Sequence, residues 1–212
     1  MRSLFLSAVC ALALSAPAMA ATFTITDVSA TYPDNSGIVI VPGFGTPWTT
    51  PIIFTTSGGQ TFTTYCDDLG HDVTIEGGQN LTYETALVTT NGLGDPISEA
   101  ISNEMGQLTT LGIGLSHIGD EGGAIAAQGA LWGIEYGVHV TSTDPSIQST
   151  MDILVSVVSD DGRGWAHGLI DPLQGDQAQI LPETIPEAST WLMMLTGFAV
   201  LGFMGWRKRV PA

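Results

Sequence analysis

Apolar positions change period twice along this chain. Residues 22–28 alternate polar and apolar side chains, as a half-buried strand does. Short β-branched runs follow at Gly37–Val41 and Ile52–Thr55, between proline and glycine punctuation. Residues 60–66 alternate again, which puts Phe62, Thr64 and Cys66 on one face and Tyr65 on the other. Residues 72–76 and 80–88 predict two more strands around a Gly77-Gly78 turn. The period then becomes helical. Asp95 reads as an N-cap with Pro96 at the first position, and Ile97, Ile101, Met105 and Leu108 recur on one side. A glycine-rich connection is expected over 111–117, and a second helix over Ala124–Tyr136. A third helix starts at Asp144-Pro145, carries Ile147, Met151, Leu154 and Val158 inward, and ends in a turn at Asp160-Asp161-Gly162. Residues 165–170 and 177–181 return to strand. The fold class is therefore α+β: a mainly antiparallel β sandwich or barrel-like sheet with two or three helices inserted in the middle.

Both ends have a different character. Met1-Arg2, the apolar stretch 4–14 and Ala18-Met19-Ala20 form a signal peptide over 1–20, removed by signal peptidase. At the other end no charged side chain occurs from Ala188 to Trp206. That is just enough for one helix across a bilayer, with Trp191 and Trp206 at its borders. Arg207-Lys208-Arg209 follows, on the side expected to stay cytoplasmic. The chain thus divides into a signal peptide (1–20), one ectodomain (21–181) and a tail (182–212). The tail comprises a linker and motif (182–190), a transmembrane helix (191–206) and a basic end (207–212). Pro186-Glu187-Ala188, the apolar span and the three basic residues resemble the PEP-CTERM sorting signal of Gram-negative bacteria. The resemblance implies recognition by an exosortase-type membrane peptidase. It places the protein at the membrane through its C-terminal helix before sorting, then at the cell surface or in the extracellular matrix.

Charge then narrows the partners. Of the 5 Lys and Arg, only Arg163 lies in 21–185, against 20 of the 21 Asp and Glu, so this stretch carries 1 − 20 = −19 and no lysine. A phosphate-binding footprint is missing, which excludes nucleic acid. No fixed-period repeat is present, and no cofactor motif: Gly92-Leu93-Gly94 and Gly112-Ile113-Gly114 lack a phosphate-loop lysine. Asp67, Asp68, His71 and Asp72 are weak candidates for a divalent cation, with no loop spacing to support them. A Cys66–His–Asp hydrolase can be drawn with His71, His117, His139 or His167, but no nucleophile elbow accompanies it. The protein is not expected to be an enzyme.

The chemistry narrows to two segments, Tyr65-Cys66-Asp67-Asp68-Leu69 and Gln128-Gly129-Ala130-Leu131-Trp132. Once the signal peptide is removed, Cys66 is the remaining cysteine, and an intrachain disulfide has no second thiol. Gln128 shares a helix face with Ala124, Ile125, Leu131 and Trp132, where an amide must find partners. These segments resemble the two signatures of thioester domains, found in bacterial surface adhesins. The resemblance implies a Cys66–Gln128 thioester in a dry pocket of Phe62, Tyr65 and Trp132, acylating an amine on a surface ligand or matrix polymer. Two other readings stand beside it: a buried structural cysteine with a hydrogen-bonded core glutamine, and an intermolecular disulfide.

Overall fold

The computed structural model describes residues 21–32, 38–71, 80–159, 164–171 and 177–182. The signal peptide, the 72–76 strand, the Asp160–Gly162 turn and the 183–212 part of the tail lie outside them. Among the described residues no helix is long and apolar enough to cross a membrane.

The strands are β1 (Thr22–Ala30), β2 (Val39–Ile40), β3 (Ile52–Thr56), β4 (Thr61–Cys66), β5 (Leu81–Leu87), β6 (Thr141–Ser142), β7 (His167–Ile170) and β8 (Gln179–Ile180). Six of them close an antiparallel barrel in the order β1-β3-β4-β8-β7-β5. The short β2 and β6 pair with each other at its side. The helices are α1 (Glu99–His117), α2 (Glu121–Tyr136) and α3 (Pro145–Val157). The fold is α+β, with a mainly antiparallel sheet and three helices among the described residues.

Two cores result. Strand side chains, with Leu181 just past β8, build one: Ile25, Val28, Phe54, Phe62, Tyr83 and Leu169 are members. Its aromatic pairs meet edge-on, Phe54 with Tyr83 at 5.3 Å and Phe23 with Phe62 at 5.1 Å between centroids. The other lies where the helices pack on the barrel and holds Tyr65, Cys66, Met105, Leu108, Leu131, Trp132 and Ile180. β4 therefore feeds the first core at one end and the second at the other.

Both ends of α1 differ from the sequence pattern. Asp95 and Pro96 do not open α1. The Asn91 side chain accepts from the Leu93 and Asp95 N–H groups, and Asn91 N–H donates to Asp95 O, closing a turn with Gly94 at φ +83°. The chain enters the helix only at Ser98, whose hydroxyl accepts from Ile101 N–H at 3.2 Å. The expected connection over 111–117 is instead the last two turns of α1. Gly112 is needed there for close approach, since a Cβ would sit 2.5 Å from the Tyr65 hydroxyl and 2.6 Å from Ala127 Cβ. α2 starts at Glu121, three residues before the expected Ala124, and α3 starts at Pro145 as expected but ends at Val157, leaving Val158 as its C-cap. Asp120 and Asp144 cap α2 and α3, Pro145 takes the first turn of α3, and α2 ends at Gly137 in the left-handed region.

Candidate functional site

Cys66 is the last residue of β4, where the barrel meets α2. Asp67 N–H donates to Ala178 O at 3.3 Å, towards β8. Successive residues of a strand present their backbone groups to opposite sides. The N–H and C=O of Cys66 therefore face the β3 side, where that strand begins only after Pro51. The side chain of Gln128 fills the missing rung. Cys66 N–H donates to Gln128 Oε1 at 2.9 Å, and Gln128 Nε2 donates to Cys66 O at 2.7 Å. Gln128 is fully buried, and its amide satisfies two backbone groups that otherwise have no strand partner. Residues 62 positions apart in sequence are joined in this way.

The thiol is held on the same residue. Cys66 Sγ donates to Asp68 O at 3.0 Å. Burial, then the Asp67 carboxylate, pushes the thiol well above its ordinary range, with Glu135 and Asp68 adding to the shift; the bond to Asp68 O opposes it. Asp67 is itself pushed to about 7, first by burial and then by Asp68. Glu135 is raised for the same reasons, burial first and Asp67 second. Asp67 Oδ1, Glu135 Oε2 and Trp132 Nε1 are buried with no hydrogen-bond partner among the described residues.

The turn after Cys66 is tightly made. Asp68 Oδ1 accepts from the N–H groups of Gly70 and His71 at 2.7 and 3.1 Å, and Oδ2 meets His71 Nδ1 at 2.6 Å. Gln177 Nε2 donates to the carbonyls of Asp68 and His71. The Tyr136 hydroxyl donates to Asp67 O and accepts from Leu69 N–H. Gly92 packs so close that a Cβ would lie 2.4 Å from Asp68 Cα. A cavity of about 110 Å³ opens here, and Cys66, Trp132, Asp68, His71, Trp48 and Gln177 are among its walls. A second, of about 280 Å³, lies on the Asp67 side and includes Asn91, Gly92 and Asp171.

The structure thus brings Cys66, Gln128 and Trp132 together and separates Phe62 from them. Four residues of strand, about 13 Å, carry Phe62 into the barrel core against Phe23. Thr64, bonded to Gln179 Oε1 at 3.0 Å, lies between. Tyr65 lines neither cavity. Its ring crosses to the helices, where its hydroxyl donates to Ala124 O at 3.0 Å and braces β4 on α2. Of the weak metal candidates, Asp68 and His71 pair with each other and Asp72 lies outside the described residues. No group of three or more His, Cys, Asp or Glu able to hold a metal ion occurs among the described residues. Of the four histidines, His71 alone shares the Cys66 cavity among the described residues.

Sequence reasoning passed over Glu135, Tyr136, Gln177 and Trp48. Glu135 had a readable signal, since it lies seven residues after Gln128 and so on the same helix face. Gln177 and Trp48 come from loops and carry none.

No family model and no curated protein matches the chain. Among solved structures it is similar to the N-terminal thioester domain of a surface protein from Clostridium perfringens. The TM-score is 0.48 and the identity 12%, over 76% of this chain and 95% of that one. It is also similar to the Bacillus anthracis TIE protein, with a TM-score of 0.39 and 14% identity over 63% of this chain and 23% of that one. Both likenesses are too slight to bear on the site, whose chemistry rests on its own residues.

Proposed function

We propose that this chain is an exported surface or matrix protein, not an enzyme, in which Cys66 and Gln128 form an internal thioester that couples to a partner amine. The observation that carries the reading is the grip of both Cys66 backbone groups on the Gln128 amide in a fully buried place. The N–H on Oε1 polarises the side-chain carbonyl, as donors aimed at a developing oxyanion do. In the forming step the Cys66 sulfur adds to Gln128 Cδ, the thiol proton passes to the amide nitrogen, and ammonia leaves. A partner amine then attacks Cδ, the C–S bond breaks, and the thiol regains a proton. The absence of lysine from residues 21–185 leaves no amine side chain of the body itself to consume the bond. The cavity beside Cys66 offers the approach.

The sorting part of the reading rests on the chain ends. A signal peptidase site follows Ala20. Pro186, Glu187, Arg207, Lys208 and Arg209 frame an exosortase-type signal. The protein would be held in the membrane by its C-terminal helix until sorted.

A second reading has its own observation. Cys66 Sγ already donates to Asp68 O, and the Gln128 amide is bonded at both ends, so the pair also satisfies itself as a noncovalent brace. That protein would be a structural matrix or adhesion component with a free buried cysteine. Intact mass of residues 21–185 separates the two. The thioester removes one ammonia, Cys66→Ala restores it, and methylamine adds at Gln128. A full-mass wild-type domain that ignores methylamine would leave the noncovalent reading. Turnover of a peptide or glycoside would instead favour a secreted hydrolase.

A further inference from the structure

His71 and Asp68 sit on the wall of the cavity that reaches Cys66 and Trp132, and neither is used in forming the thioester. Asp68 is nearly buried, and its carboxylate is fixed by three bonds at 2.6–3.1 Å. One of these holds His71 Nδ1, which sets the imidazole with its other nitrogen, Nε2, as the remaining basic site. Gln177 holds both backbone carbonyls of the pair, so the imidazole is carried on a braced turn. His71 is 44% exposed, so it also meets what arrives from solvent.

Building on the thioester reading, we propose that His71, oriented by Asp68, is the general base for the incoming nucleophile, which extends the acceptor class from amines to hydroxyls such as those of a carbohydrate. An amine attacks a thioester through its own lone pair. A hydroxyl is a poor nucleophile until its proton is taken. In the step assigned here the acceptor oxygen attacks Gln128 Cδ while its proton passes to His71 Nε2. The C–O bond forms, the C–S bond breaks, and the imidazolium returns the proton to Cys66 Sγ. The products are a γ-glutamyl ester at Gln128 and a free thiol. The buried thiol, pushed up by its surroundings, leaves poorly as a bare thiolate, so a proton delivered at that moment is worth most here. The cavity of about 110 Å³ has room for a hydroxymethyl group or an amine tip.

The test uses residues 21–185 with two probes, glycerol as the hydroxyl acceptor and hydroxylamine as an acceptor that is free base at neutral pH. Each rate is taken per thioester present, measured as ammonia loss by intact mass. The expected result is glycerol ester on Gln128 in the wild type, and a glycerol-to-hydroxylamine rate ratio about a hundredfold lower in H71Q, the low end of general-base contributions. D68N should lower the ratio less, since the ring stays present but loses its anchor. A wild type that forms the thioester and reacts with hydroxylamine alone overturns the proposal and leaves the thioester standing. So does an unchanged ratio in H71Q and D68N. A wild type with no ammonia loss takes both readings down.

Discussion

Asp67 stands next to the thiol with one carboxylate oxygen buried and unpaired among the described residues. Its folded pKa of about 7 lies above the ordinary carboxylate value of 3.8, because burial and then Asp68 penalise its charge. Between those values the unfolded chain binds fewer protons than the folded one, so stability falls as pH rises. The contribution is whole below about pH 3.8 and gone once pH passes about 7. Glu135 shifts in the same direction and adds to the slope. Asp67→Asn should therefore melt less far below its pH 5 value at pH 8 than the wild type does, by thermal denaturation at both. Identical falls in the two proteins would contradict the assignment. At this scale the sequence was half legible. Cys66 and Gln128 announce themselves, one as a thiol without a mate and the other as an amide on an apolar face. Phe62 misleads, because alternation states which face a side chain takes and not which of two cores lies behind that face.

Helix packing turns on glycines whose role appears only in contact. Alanine in a helix interior gains about 1 kcal/mol over glycine by propensity. At Gly112 that gain meets the Tyr65 hydroxyl at 2.5 Å and Ala127 Cβ at 2.6 Å, a ring and a helix atom that cannot easily yield. Gly112→Ala should be net destabilising by up to about 2 kcal/mol, since overpacking costs about 1–3 kcal/mol. At Gly129 the first neighbour is Met151 Sδ at 2.5 Å, the middle of a flexible side chain. Gly129→Ala should stay within about 1 kcal/mol of the wild type. Denaturant unfolding of both variants checks the order; the reverse order would show that the α1–α2 contact is looser than drawn. The same glycines explain why residues 111–117 read as a connection. Composition counts Gly112 and Gly114 against a helix, while the packing of α1 on Tyr65 and α2 requires the first of them. Asp95-Pro96 misleads for a related reason. A cap needs a helix that starts there, and the Asn91 turn postpones the start to Ser98.

Across the whole molecule the dominant quantity is charge. Residues 21–185 carry 1 − 20 = −19, and such self-repulsion works against a compact state. Raising ionic strength from about 0.01 M to about 0.15 M shortens the screening length from about 30 Å to about 8 Å. The melting temperature of residues 21–185 should rise over that range. A flat response would mean that the acidic side chains are spaced beyond effective repulsion. The same acidity favours solubility through net charge.

Strand and helix periods, the cap at Asp144, the acidity of residues 21–185 and the two chemical segments are local properties, and each can be read from neighbours a few residues away. Barrel closure is not of that kind. It pairs β1 with β5 and β4 with β8, and it stops β3 short at Pro51. That shortfall leaves Cys66 with two free backbone groups, and a glutamine on a helix 62 residues later answers them. Whether the Cys66 backbone and the Gln128 amide meet depends on which strand ends first and how closely two glycine-bearing helices approach. Those are facts of packing between distant segments, which no stretch of sequence contains by itself.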